Sequence, residues 1–107
     1  NATFTNDKRP KSKNSNFKLL YTYVGKYSSI GANATILCGV RIGDFVLVGA
    51  GSVVTTNIPD RALVVGCPAK IVGWMNDDGT KMRKFNDSYI DNQGDIWNVV
   101  QGELKKI

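Results

Sequence analysis

The side chains best suited to chemistry lie together in one polar segment near the start of the sequence. Asn6 and Asp7 place an amide beside a carboxylate, and the cations Lys8 and Arg9 follow at once. Residues 1–18 carry five Lys or Arg side chains against one Asp, whereas the whole 107-residue sequence has a net charge of +5. An excess this local favours an anion bound at one place over a basic surface that coats nucleic acid.

Histidine is absent from the sequence, and this absence excludes several kinds of chemistry. These residues hold no His-ligated metal site, no Ser-His triad and no imidazole general base, so we expect no metal. Two cysteines are too few for the disulfide framework of a small secreted domain. With 42% apolar and 21% charged residues, and no apolar run of about 18, the sequence predicts a soluble cytoplasmic protein with neither membrane nor nucleic-acid partners.

A six-residue repeat organises the centre of the sequence. An aliphatic residue recurs at every sixth position, it is usually followed by Gly, and a mostly small residue lies four positions after it. The aliphatic positions are Val24, Ile30, Ile36, Ile42, Val48 and Val54.

This period fits neither a helix nor an antiparallel meander. A helix of about 3.6 residues per turn would drift out of register with it, and Val or Ile before Gly is poor helix sequence. The repeat instead indicates short strands joined by bends that Gly eases, with the aliphatic and small residues facing inward. Three such sides close a coil, so that residues 24–41 and 42–59 form two stacked coils of a triangular solenoid with parallel sheets.

The stretches that carry the repeat resemble the hexapeptide-repeat acyltransferases: VGKYSSIGANATI from residue 24, VGAGSVVT from residue 48 and ALVVGCPAKIVGWM from residue 62. They look most like the C-terminal half of enzymes that N-acetylate 3-amino sugars on nucleotide carriers, of the UDP-2-acetamido-3-amino-2,3-dideoxy-glucuronate N-acetyltransferase type. The segment TFTNDKRPKS from residue 3 looks like the active-site loop of that subfamily. The resemblance implies a mainly β fold in which the coils wind as a left-handed parallel β-helix.

The resemblance also implies where acetyl-CoA binds. Ala32 and Ala50 lie on equivalent corners of consecutive coils, and their N–H groups would bond the amides of the pantetheine arm. Lys70 matches the position whose cation meets the adenosine phosphates. The alternatives are that both alanines merely fit tight corners and that Lys70 is only solvated. Two residues depart from the family pattern: Thr56 replaces a common second Lys, and Cys67 replaces the usual Asn.

The loop that begins at Asn6 is the predicted catalytic segment. Related sugar O-acetyltransferases commonly carry a His there, because a hydroxyl must lose its proton before it attacks. A neutral amine needs no strong base, so the Asn6 carbonyl oxygen would orient it, with Asp7 beside it, and the leaving thiolate would take the proton. The alternative is an Asx-type turn with no chemistry. Lys8 and Arg9 would hold the pyrophosphate of the nucleotide sugar; an ordinary solvated loop or a nucleic-acid contact are the alternatives.

Composition shifts divide the sequence into predicted units. Residues 1–75 are predicted to form the last coils of the solenoid, with a polar loop extruded at 5–23. Residues 76–107 are predicted to form a small, hairpin-rich β extension that caps the last coil and buries Trp97 and Ile107; a frayed tail is the alternative. Because the first four residues parallel 33–36, the sequence begins within a hexad. We therefore expect earlier coils to precede it or to come from a companion chain; a short natural protein is the alternative.

We therefore expect an enzyme that transfers acetyl from acetyl-CoA to the amino group of a nucleotide-linked 3-amino sugar for bacterial surface polysaccharide such as lipopolysaccharide. The resemblance implies a homotrimer. An O-acetyltransferase with its base in absent residues and a non-catalytic β-helix assembly module remain alternatives. A carbonic anhydrase of the same fold needs three His around zinc, and the sequence has none.

Overall fold

A computed structural model describes the backbone of residues 3–4 and all of residues 22–107. The described residues form strands joined by turns and contain no helix. The strands are β1 (Thr3–Phe4), β2 (Tyr23–Val24), β3 (Ser29–Ile30), β4 (Thr35–Ile36), β5 (Arg41–Ile42), β6 (Leu47–Val48), β7 (Val53–Val54), β8 (Ala62–Gly66), β9 (Ala69–Trp74), β10 (Arg83–Phe85), β11 (Ser88–Ile90), β12 (Ile96–Val100) and β13 (Glu103–Lys106). The predicted mainly β class is confirmed.

The strands form four sheets. Sheet I contains β1, β4 and β7, sheet II contains β2 and β5, sheet III contains β3, β6, β8 and β9, and sheet IV contains β10 to β13. From β2 to β7 the chain visits sheets II, III and I in rotation. Each of the strands β1 to β4 pairs in parallel with the third strand after it. The partners of β2, β3 and β4 are 18 residues apart, as in Ser29 opposite Leu47, which confirms the predicted register.

The predicted inward positions form the core. Ile36, Ile42, Val48 and Val54 are completely buried, and the positions four residues later are buried or half-buried. Val24 is only half-buried, as is Ile30. Within the described part of the chain, β2 and β3 are edge strands of their sheets.

The glycines that follow the aliphatic positions have a different role from the predicted one. A Cβ on Gly31 would lie 2.5 Å from the Ala50 nitrogen, and one on Gly43 would lie 2.7 Å from the Asp60 nitrogen. These glycines therefore make room for the next coil, and the prediction that they form the bends is wrong. The bends lie two residues after these glycines, where positive φ angles occur at Tyr27, Asn33, Phe45 and Gly51. Gly39 and Arg61 also have positive φ in the coils.

The repeat ends in a hairpin on sheet III. β8 pairs in parallel with β6 at a spacing of 16 residues, Leu47 opposite Leu63, and then turns into the antiparallel strand β9. β2 begins at Tyr23, so the last residue of the predicted loop already lies in a strand. The described residues include no helix that is both long and apolar enough to span a membrane.

Sheet IV is an antiparallel meander whose inner face rests on the coils. Trp97 and Leu104 pack against the core, and the rings of Trp74 and Tyr89 meet edge to face at 6.4 Å. The expected burial of Ile107 is wrong, because this side chain is 77% exposed. Its N–H donates to the carbonyl of Ile96, and side chains on neighbouring residues of a strand face opposite sides, so Ile107 lies on the outer face while Trp97 faces inward.

Candidate functional site

The predicted catalytic and sugar-binding residues lie outside the described part of the chain. These are Asn6, Asp7, Lys8 and Arg9. The described residues contain the three positions predicted to bind acetyl-CoA. The structure therefore gives the geometry of the predicted cofactor-binding part of the site.

Ala32 and Ala50 occupy equivalent turns between sheets III and I, after β3 and after β6. Both residues are exposed. The Gly51 N–H donates to the Ala32 carbonyl at 2.9 Å, which joins the two corners through the backbone. The N–H groups of Ala32 and Ala50 donate no hydrogen bond to any described residue. The corner thus has two exposed residues, one coil apart, whose N–H groups no described residue accepts.

The glycine between β3 and this corner sets the spacing of the two coils. Gly31 donates its N–H to the carbonyl of Val48 at 2.8 Å, and the space a Cβ would fill is occupied by the Ala50 backbone. Any larger residue would push the second corner away from the first. Gly31 therefore positions the Ala50 N–H relative to Ala32.

A buried serine ties this corner to the hairpin that carries Lys70. Ser52 is 1% exposed, and its Oγ accepts a hydrogen bond from the Gly66 N–H at 3.2 Å. Gly66 pairs with Ala69 across the turn, and Lys70 pairs with Val65. Val65 in turn occupies the space beside Gly49, two residues before Gly51. The structure therefore places exposed Lys70 on a hairpin anchored to the strand pair that carries Ala50.

The two departures from the family pattern are both at the surface. Cys67 is exposed in the turn of the β8–β9 hairpin, and Thr56 is exposed after β7. Neither adds a cation beside Lys70. Within residues 22–107 and the strand at 3–4, no three His, Cys, Asp or Glu side chains are grouped to hold a metal ion.

Ionisable groups with shifted pKa values lie in the C-terminal segment rather than at the alanine corner. Hydrogen bonds from the Thr80 side chain and N–H lower the pKa of Asp78, and the Trp97 indole N–H, which donates at 2.9 Å, lowers the pKa of Asp91. The hydrogen bond to Asp95 raises the pKa of Lys106. These charges stabilise turns and sheet IV, and the alanine corner supplies backbone donors instead of a titrating base.

Sequence reasoning missed Arg61, which connects the coils to sheet IV. Its guanidinium lies over Phe45 at 4.6 Å and over Trp97 at 5.0 Å, and it forms an ion pair with Asp77. The repeat could have indicated its contact with Phe45, because Tyr27, Phe45 and Arg61 occupy the same bend of successive coils. The Tyr27 and Phe45 rings are stacked at 5.3 Å. The contact with Trp97 depends on the tertiary fold and has no signature in the repeat.

Comparisons with known proteins agree with this geometry. The family of bacterial transferase hexapeptides, with six repeats, matches residues 21–56. A dTDP-3-amino-3,6-dideoxy-alpha-D-galactopyranose 3-N-acetyltransferase from Aneurinibacillus thermoaerophilus is 49% identical over 72 residues, which are 67% of this chain and 35% of the relative. The chain thus spans about a third of the length of this curated relative.

Two solved structures are similar over the coils. Serine acetyltransferase from Neisseria gonorrhoeae superposes with a TM-score of 0.52 at 44% identity, over 53% of this chain and 22% of its own. A galactoside acetyltransferase in complex with coenzyme A gives a TM-score of 0.51 at 32% identity, over 66% of this chain and 35% of its own. Residues 21–56 of this chain therefore match the bacterial transferase hexapeptide family in sequence.

Proposed function

We propose that this chain supplies the acetyl-CoA side of an N-acetyltransferase that acts on the amino group of a nucleotide-linked 3-amino sugar. The observation that carries the proposal is that Ala32 and Ala50 are exposed residues one coil apart in register, and the N–H of neither donates to a residue that the structure describes. The likeness to the dTDP-3-amino-sugar enzyme supports the acceptor. The coenzyme A complex of the galactoside acetyltransferase supports the donor.

The cofactor arm would run along the coil edge. Its two amide carbonyls accept from the Ala32 and Ala50 N–H groups. The backbone on either side is held by hydrogen bonds from Gly31, Gly49 and Gly51, so little flexibility is lost on binding. Lys70 then meets the phosphates as a single cation. Because Thr56 and Cys67 bring no second cation, we expect the phosphate contact to be weaker than in relatives that have two.

The reaction needs only a modest proton transfer. The neutral amine of the sugar attacks the thioester carbonyl, the C–S bond breaks, and the departing thiolate takes the proton that the new amide loses. Asn6 orients the amine through its side-chain carbonyl, Asp7 lies beside it, and Lys8 and Arg9 hold the pyrophosphate. The sequence contains no histidine, so this proposal assigns no imidazole base to it.

We also propose a handedness for the coils, an oligomeric state and a role for the product. The coils wind in the left-handed sense that the family resemblance implies, three copies form a homotrimer, and the product serves the synthesis of surface polysaccharide in the cytoplasm. The large apolar side chains Tyr27 and Leu37 are exposed on the coils, which supports self-association.

The test is to incubate full-length protein with acetyl-CoA and a panel of nucleotide-linked 3-amino sugars while thiol release is followed and the product is identified by mass spectrometry. We expect thiol release that depends on the amino sugar and an N-acetylated product. Release that occurs only with hydroxyl acceptors would instead indicate an O-acetyltransferase. No stabilisation by coenzyme A in a thermal melt would contradict transferase function altogether and favour an assembly module.

A further inference from the structure

A cleft lies between the coils and the tip of the β12–β13 hairpin, at sheet II. Its volume is about 490 Å³, which is within the usual range of small-molecule sites. Ala32 and Ala50 lie at the corner between sheets III and I, and neither lines this cleft. The cleft is therefore separate from the corner proposed to bind acetyl-CoA.

The two walls of the cleft carry matching sets of polar groups. The coil wall presents one guanidinium, one primary amide and one carboxylate, and the hairpin wall presents one ammonium, one primary amide and one carboxylate. The coil set is Arg41, Asn57 and Asp60, and the hairpin set is Lys105, Gln101 and Glu103. The formal charge of each wall is zero.

Apolar side chains line the cleft between these walls. Pro59 contributes from the coil and Leu104 from the hairpin, both half-buried, and Gly102 leaves exposed backbone, whereas Ile58 and Gly43 border the cleft as buried residues. A lining that combines apolar side chains with many hydrogen-bond donors and acceptors suits a ligand that has both apolar and polar surface.

The coil wall is held in place by contacts within the stack. The Arg41 guanidinium lies 4.5 Å above the centre of the Tyr23 ring. The backbone N–H of Arg41 donates to the Asn57 side-chain oxygen at 2.8 Å. Asp60 accepts from the Asp44 N–H at 2.8 Å. These groups are oriented before any ligand arrives, which lowers the entropy cost of binding.

The hairpin wall is held by a tight turn and by its strands. Gln101 and Gly102 both have positive φ, as the two-residue turn of a twisted hairpin requires. The Lys105 and Glu103 charges lie 3.4 Å apart and are both exposed, so that each retains hydrogen-bonding capacity. Lys106, on the same strand, is fixed by a 2.9 Å contact with Asp95.

We propose that this cleft binds a neutral saccharide. A hydroxyl both donates and accepts, so a ring of hydroxyls matches walls that each offer cationic donors, carboxylate acceptors and an amide. A phosphorylated ligand would meet two carboxylates, and an amine would meet two cations. The apolar lining packs against the C–H face of the sugar ring.

The test is a titration of full-length protein with three monosaccharide probes of different charge, followed by amide chemical shifts. The probes are N-acetylglucosamine, which is neutral, glucosamine, which is cationic, and glucose 6-phosphate, which is anionic. We expect the neutral probe to bind most tightly and to shift the amides of residues 57–60 and 101–105 in a saturable way. Glu103→Gln and Lys105→Met are the test variants, and Lys84→Met, exposed on β10, is the matched control.

Each test variant should weaken the neutral probe by about threefold to tenfold, because a charged hydrogen-bond partner is lost. Glu103→Gln should shift the preference toward the anionic probe, and Lys105→Met toward the cationic probe, while Lys84→Met changes neither. Three outcomes overturn the proposal: no saturable shift in the cleft, binding of the anionic probe alone, or saccharide shifts confined to the Ala32 and Ala50 corner. Because none of these readouts involves acetyl transfer, they are independent of the proposed activity.

Discussion

Gly31 and the Ala50 backbone lie so close together that a Cβ on Gly31 would approach the Ala50 nitrogen to 2.5 Å. This contact sets the separation of the two corners whose N–H groups are the proposed pantetheine donors. A residue in the core repeat is thereby also a positioning residue for the candidate site.

Gly31→Ala should therefore weaken coenzyme A binding beyond its effect on folding. Overpacking of this kind costs about 1–3 kcal/mol of stability, and displacement of Ala50 should raise the Kd of coenzyme A by roughly tenfold. The matched control is Gly43→Ala, which crowds Asp60 at a different bend of the stack. Thermal melts and calorimetric titration measure the two effects. If both variants weaken coenzyme A equally, Gly31 has no special role in positioning.

Lys70→Met should reduce affinity for coenzyme A but not for pantetheine. An exposed ion pair is worth about 0.2–1 kcal/mol, so we expect a loss of up to about fivefold that shrinks as salt is added. Pantetheine lacks the phosphates and should bind both proteins alike. Lys84→Met, which removes an exposed charge from β10, controls for net charge. An equal loss for pantetheine would mean that Lys70 acts through the hairpin and not through charge.

Asn6→Ala should lower turnover and leave coenzyme A binding intact. Loss of the group that orients the amine should reduce kcat on the order of a hundredfold. Asn14→Ala, an amide in the same predicted loop without an assigned role, is the control. Steady-state rates at saturating acetyl-CoA, together with the Kd of coenzyme A, separate the two effects. Unchanged turnover would remove the catalytic role of Asn6.

Acidification should loosen sheet IV through Asp91. Its pKa is lowered in the folded protein, mainly by the Trp97 indole N–H, so its stabilising effect is fully present above the ordinary Asp pKa of 3.8 and is lost as pH falls below it. Trp97 fluorescence should change over that range, and Asp91→Asn should flatten the pH dependence. Asp87→Asn, in the exposed β10–β11 turn, is the control for the loss of one carboxylate from sheet IV. A wild-type pH profile in Asp91→Asn would refute the assignment.

Periodicity predicted the coils well because burial follows the sequence directly. Ile36 and Ile42 are buried, because an aliphatic residue at every sixth position faces the interior of a three-sided stack. The role of Gly31 could not be predicted from the repeat. A glycine at that position is compatible both with a bend in the backbone and with close packing of the next coil. Arg61 and Ile107 depend on which face of sheet IV meets the coils, and that choice is made by Trp97 and Tyr89 packing rather than by any local pattern.

A crystal structure of the full-length protein with coenzyme A tests the central proposal most directly. We predict that the pantetheine amides lie within hydrogen-bond distance of the Ala32 and Ala50 N–H groups, with the phosphates near Lys70. Coenzyme A bound elsewhere on the coils, or these two N–H groups still without a ligand at saturating coenzyme A, would contradict it.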